Sequence, residues 1–250
     1  LAQADAVDAI TGGTVTINSF TGTKAQFDEA HSDSGKVMTG AAVALTSENT
    51  IAEIQAIDDI TSGAITYTTI ADTFAKIVEA NTNDGAGSPA AVSADKFAKL
   101  YAATTIKVTD YELGDDLSAI GNTSTNQTVV GNTAGIDTIA TTKIQVTLTE
   151  DTTINDSNAA KLSTVTDVVL SGSDTDLTIQ SDAFDNTGNE WDSFATLTGV
   201  NGGTTSLIIQ DDPDTTGGNI DLYSLATLTD IDSVTVNGDS GANIINLSAG

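Results

Sequence analysis

Residues 7–35 of this chain recur at 57–85. Val7-Asp8-Ala9-Ile10-Thr11-Gly12-Gly13-Thr14-Val15-Thr16 lines up with Ile57-Asp58-Asp59-Ile60-Thr61-Ser62-Gly63-Ala64-Ile65-Thr66. The match continues without a gap through Thr23/Thr73, Ala25/Ala75, Glu29/Glu79, Ala30/Ala80 and Gly35/Gly85, giving ten identities in 29 positions. A unit this short cannot bury its own apolar face, so successive units have to stack on one another.

Each unit reads as helix, strand, helix. Thr50 is placed to cap a helix whose Ile51, Ile54, Ile57 and Ile60 fall near helical spacing. Gly63, like Gly13, is expected to close it in the left-handed conformation that glycine tolerates. The alternating Ala64-Ile65-Thr66-Tyr67-Thr68 then reads as a strand. Helical spacing resumes over Asp72–Val78, ahead of a loop at Asn81–Gly87. A partial third copy starts at Ser93, a cap for Asp95–Tyr101, and leads into a strand at Thr105–Thr109.

Beyond Thr104 the helical period fades and short β-branched runs take over. Leu162–Leu170 precedes Asp176–Ile179, Leu197–Val200 precedes Ser206–Ile209, and Leu228–Val236 precedes Ala242–Leu247. These segments start 35 and then 31 residues apart, and Phe194-Ala195-Thr196-Leu197-Thr198 closely matches Leu225-Ala226-Thr227-Leu228-Thr229. The reading is a mixed, mainly β fold. Stacked helix–strand–helix repeats fill residues 1–103, and a β-solenoid-like region, alternatively a β-sandwich, fills 104–250 with a further split near 161.

Charge narrows function further. The chain carries 35 acidic residues against eight basic ones, all lysine, for a formal charge of −27. Such a surface repels phosphate, which excludes nucleic acid as a partner. Cysteine is absent and histidine occurs once, at His31 in a loop-like stretch, so zinc sites, thiol catalysis and disulfide frameworks are removed. Lys161 is the last basic residue, and the fourteen acids after it repel one another unless cations neutralise them. A β-helical polysaccharide lyase needs a lysine or arginine as proton acceptor, and residues 162–250 contain neither. No apolar run is long enough to insert in a membrane. The opening Leu1-Ala2-Gln3 reads as the start of a piece cut from something longer.

The acidic turns supply hard oxygen ligands, and calcium is the cation they suit. The strongest candidate is Asp211-Asp212-Pro213-Asp214, beside Gly217 and Gly218, with Asp174 and Asp176 joining it if the coils stack. Asp182, Asp185, Asn186, Asn189, Glu190 and Asp192 form a second cluster around Trp191. It lacks the glycine and final glutamate of an EF-hand. Trp191 reads as a core or interface anchor rather than a sugar platform. The many threonines suit outward hydroxyl ladders, and Lys143 and Lys161 are the candidates for an isopeptide staple.

Asn237-Gly238-Asp239-Ser240-Gly241-Ala242-Asn243-Ile244-Ile245-Asn246 resembles a degenerate copy of the calcium-binding nonapeptide of RTX (haemolysin-type) proteins, with Asn243 where aspartate is the rule. The fifty-residue Thr/Gly/Ala repeat is similar to repeats of giant bacterial surface-layer and haemolysin-type surface proteins. The resemblance implies calcium at Asp239 and Asn243, export by a type I route, and folding outside the cell. It also implies assembly with identical subunits on a surface bearing glycan or lipopolysaccharide. Two functional readings follow. One is a self-assembling subunit of a surface layer, sheath or filament. The other is a stalk or binding module of an adhesin or phage fibre.

Overall fold

The computed structural model describes residues 13–33, 35–81, 96, 99–118, 120, 143–180, 183, 195–210, 219–221, 227–237 and 244–246. In chain order the elements are β1 (Val15–Thr16), β2 (Ser19–Gly22), α1 (Lys24–Ser32), β3 (Lys36–Val37) and β4 (Ala42–Leu45). Next come α2 (Ile51–Asp58), β5 (Ile65–Thr66), β6 (Thr69–Asp72), α3 (Phe74–Asn81) and β7 (Thr105–Val108). The chain continues with β8 (Lys143–Leu148), β9 (Thr152–Ile154), α4 (Asp156–Ala159), β10 (Asp167–Leu170) and β11 (Asp176–Gln180). Last are β12 (Thr196–Thr198), β13 (Ser206–Gln210), β14 (Asn219–Asp221), β15 (Thr227–Thr229), β16 (Ser233–Asn237) and β17 (Ile244–Asn246).

The fold is mixed α/β, rich in strands and poor in helix. One sheet has the order β15-β12-β10-β8-β7-β6 and a second the order β16-β13-β11-β9. A third is β2-β4-β5, and β1-β3 and β14-β17 pair alone. Every strand pairing among the described residues is parallel, and none of these sheets closes into a barrel. A β-sandwich is built from antiparallel strands, so that alternative is overturned. The six-stranded sheet crosses residue 103 without a break, because Ile70 pairs with Ile106 and Ile106 with Ile144. It also crosses 161, where β8 pairs with β10. The change at 103 is therefore one of helix content, with no gap in the hydrogen-bonded sheet.

Alternation fixes which face is buried. Side chains of a strand point to opposite faces in turn, and parallel register puts like positions in rows. Ile70, Ile106 and Ile144 form one buried row, and Val146, Val168 and Leu197 another. In the second sheet Leu177 aligns with Leu207, and Ile154 with Ile179 and Ile209, all buried. The outward positions between them are Thr153, Thr178, Gln180 and Gln210, whose side chains keep contact with water.

Helix starts follow local chemistry. Thr23 Oγ1 accepts the Gln26 N–H at 3.3 Å while Gln26 Oε1 accepts the Thr23 N–H at 2.9 Å. Thr50 and Glu53 make the same reciprocal pair at 3.2 and 2.8 Å. The next strand along adds a second cap. Asp72 Oδ2 accepts the Ile51 N–H at 3.1 Å, and Asp110 Oδ1 accepts the Phe74 N–H at 2.6 Å. A carboxylate at a helix N-terminus satisfies an orphan donor and complements the helix dipole.

Several local expectations need correction. Helix α2 ends at Asp58, and Gly63 does not close it in the left-handed conformation. That position is glycine because a Cβ there would lie 2.1 Å from the Ala41 carbonyl oxygen. The helix expected from Asp72 starts at Phe74, since Thr69–Asp72 is held as a strand by β7. His31 lies in the last turn of α1, stacked on Phe27 with ring centroids 6.4 Å apart, and not in a loop. The start of the expected third copy, Ser93–Asp95, lies outside the described residues, but residues 99–102 are helical and β7 forms as expected. The pairing of Leu197 with Leu228 keeps the 31-residue spacing. The earlier spacing is 29, because Val168 and not Leu162 aligns with Leu197.

Candidate functional site

Every lysine of the chain is engaged. Lys24 pairs with Asp28, Lys36 with Asp33, Lys76 and Lys96 with Glu79, and Lys99 with Asp58. Lys107 pairs with Glu48 and Lys143 with Asp167, and the Lys161 ammonium donates to the Gly114 carbonyl at 3.1 Å. Among the described residues these seven lysine pairs involve six carboxylates, and eight lysines are too few to offset the chain's 35 acids. Of the two candidates for an isopeptide staple, Lys143 lies 3.4 Å from Asp167, and Lys161 meets the Gly114 carbonyl.

The pairs at Glu79 and Asp33 are strong enough to shift their titration. The Lys96 ammonium, followed by that of Lys76, holds the Glu79 carboxyl down at about 2. Lys36 and then the Gly35 N–H hold Asp33 below the usual carboxylate range, and Glu79 raises Lys76. The Glu79 charge therefore stabilises the fold fully above its unfolded value near 4.5, and that contribution fades as pH falls toward 2. Because the Glu79 side chain is 46% exposed, solvent screening keeps the effect to about 0.5 kcal/mol. Glu79→Gln should lower the melting temperature at pH 7 by one or two degrees and leave it unchanged at pH 2, as read by calorimetry at both pH values.

Near the strand starts the carboxylates accept from backbone amides and from threonine hydroxyls. Asp151 Oδ1 accepts the Asp176 N–H at 2.9 Å, and Asp232 Oδ2 accepts the Thr205 N–H at 2.8 Å. Asp174 Oδ1 accepts the Thr204 hydroxyl at 2.6 Å, and Thr166 Oγ1 donates to Asp167 Oδ2 at 2.6 Å. The first three tie one turn to the next, 25 to 30 residues away, and the last joins two neighbouring side chains.

Asp174 and Asp176 stand close together at the start of β11, where Asp176 lies opposite Ser206 at the start of β13. Asp211, Asp212, Asp214, Asp239 and Asn243 lie outside the described residues, as do Trp191 and the acidic residues around it. Among the described residues no group of three or more metal-ligating side chains converges.

The surface feature absent from the sequence reading lies on the last strands. Leu228 continues the row of Val146, Val168 and Leu197, and Val234 continues the row of Leu177 and Leu207. The earlier members are buried, whereas Leu228 is 41% and Val234 47% exposed. Strands β15 and β16 are the outer strands of their sheets, with one hydrogen-bonding edge each unused by any described strand. The match between Leu197 and Leu228 in the sequence hinted at equal inward positions, but not that the second of them stands on the outermost described strand.

Compared with family models, curated proteins and solved structures, the chain gave no match.

Proposed function

We propose that this chain is a structural segment of an extracellular surface protein, a stack of parallel β-coils that associates end to end with identical subunits and is stabilised by calcium. The observation that carries the reading is the exposed apolar row at Leu228 and Val234, in register with buried rows behind it. An outer strand whose N–H and C=O groups no described strand uses, beside apolar side chains, is a template for a further strand. Spacing supports the stack as well: β1, β2 and α1 begin fifty residues ahead of β5, β6 and α3. The calcium part rests on charge. All lysines are spent, so divalent cations are what allows acidic ends to approach. The resemblance to haemolysin-type and surface-layer proteins points the same way.

The test is sedimentation and negative-stain microscopy with millimolar calcium or with EGTA. Calcium is expected to raise the melting temperature and to produce linear assemblies. Leu228→Lys with Val234→Lys should keep the chain monomeric with little change in melting, since both side chains already meet solvent. A chain that stays monomeric at high concentration through the whole calcium titration overturns the self-assembly reading. Stabilisation by calcium without assembly favours a stalk or binding module of an adhesin or fibre instead.

A further inference from the structure

A second surface differs from the open end in both shape and charge. Between the segment Tyr111–Leu113 and strand β9 lies a cleft of about 330 Å³, within the range of about 300–1,000 Å³ for binding clefts. Leu148 and the turn Thr149–Asp151 line it, with Thr152 and Thr153 of β9 along one wall. Strand β9 is the outer strand of its sheet, paired on one side with β11 and on the other with no described strand. Leu113 is 51% exposed at the rim, while Leu148 and Tyr111 are buried beneath.

Three carboxylates, Glu112, Glu150 and Asp151, surround this cleft, and no lysine lines it. All eight lysines are bonded elsewhere, the nearest in sequence contact being Lys161 on the Gly114 carbonyl. The cleft thus combines a strand edge that no described strand pairs, an apolar contact and a negative rim that no lysine lines. An extended chain reads a strand edge through its backbone and places alternate side chains toward the two faces. The rim selects cationic ones. A second copy of this chain has no lysine free to supply that charge.

We propose that the cleft docks an extended segment of another protein bearing lysine or arginine, which adds a strand to the free edge of β9. The probe is a fluorescent acetylated hexapeptide of alternating lysine and valine, titrated by anisotropy at low and physiological salt. Saturable one-to-one binding is expected. Reversing the rim with Glu112→Lys and Glu150→Lys should weaken it by at least about tenfold. Reversing two distant exposed acids, Glu29→Lys and Asp59→Lys, makes the same change in net charge and should leave binding within about twofold. A peptide methylated at alternate backbone nitrogens keeps its charges but cannot complete the ladder, and should bind at least about tenfold more weakly. Equal loss in both charge-reversed variants would show attraction to the whole acidic surface and overturn the proposal. Undiminished binding of the methylated peptide would reduce the site to a simple cation site, and absence of binding would also end it. Circular dichroism of each variant separates loss of binding from loss of fold.

Discussion

Gly63→Ala should destabilise the chain by about 3 kcal/mol, among the largest effects of a single methyl group, because the added carbon has nowhere to go. It would stand 2.1 Å from the Ala41 oxygen, 2.5 Å from the Ala41 carbonyl carbon and 2.8 Å from the Ala42 nitrogen. All three are backbone atoms, so no side-chain rotation relieves the clash. The segment cannot retreat without loss either. The Ser62 N–H donates to the Thr39 carbonyl at 2.7 Å, and the buried Thr61 hydroxyl donates to the Ala41 carbonyl at 2.6 Å. Moving Gly63 away strips a buried donor and acceptor of their partners and pulls β5 from β4, which it joins at Ile65 and Val43. Chemical denaturation of the variant measures the loss. A change under about 0.5 kcal/mol would mean that these two backbones do not meet as described.

Ile106→Ala should cost about 3 kcal/mol, and for a chain of this length lower the melting temperature by roughly 10 °C. Ile106 is fully buried on β7, between Ile70 of β6 and Ile144 of β8 in the same row. Its neighbours belong to strands fixed on both sides by hydrogen bonds, so the hole left by the missing carbons cannot collapse. The outward neighbour Thr105 pairs with Thr69 and Lys143 in the same register, yet it is only half-buried. Thr105→Ala should cost under about 1 kcal/mol, so the contrast between the two substitutions reports which face of the sheet is the core. Equal effects would contradict the alternation on which all the buried rows rest.

Where local chemistry decides the outcome, the chain was legible. Helix α2 was foreseeable from Thr50 and the spacing of Ile51, Ile54 and Ile57, because a cap and a helical stripe act within one or two turns. The strands at Ile65, Thr105, Leu177, Leu207 and Val234 follow from β-branched and apolar alternation. Strands β2 and β6 were not foreseen. Four residues such as Ser19–Gly22 carry no decisive period, and what makes them strands is the ladder offered by β4 and β7. His31 was misplaced for the opposite reason. Its helix is held by the burial of Phe27 and Ala30, a tertiary contact that overrides the weak propensity of a His-Ser-Asp stretch.

The acidic residues divide in the same way. Their number and the lack of arginine set a surface that shuns phosphate and favours cations, a property of composition alone. Their tasks depend on distance. Asp72 and Asp110 cap helices that begin 21 and 36 residues earlier, and Asp232 holds the amide of Thr205, 27 residues back. Those partners meet only because parallel strands bring successive turns level with one another.

The sequence by itself determined the repeat of fifty residues, the alternation that sorts apolar from threonine-bearing faces, and the excess of negative charge. All three are local or additive quantities, which the order and number of side chains settle. Only the tertiary structure decided that the strands pair in parallel, that Gly63 must lack a side chain, and that β9 and the strands of Leu228 and Val234 are outer strands with one edge paired by no described strand. Pairing partners, close approaches and open edges are relations between residues far apart in the chain. Their free energy exists only once the backbone has closed the loops between them.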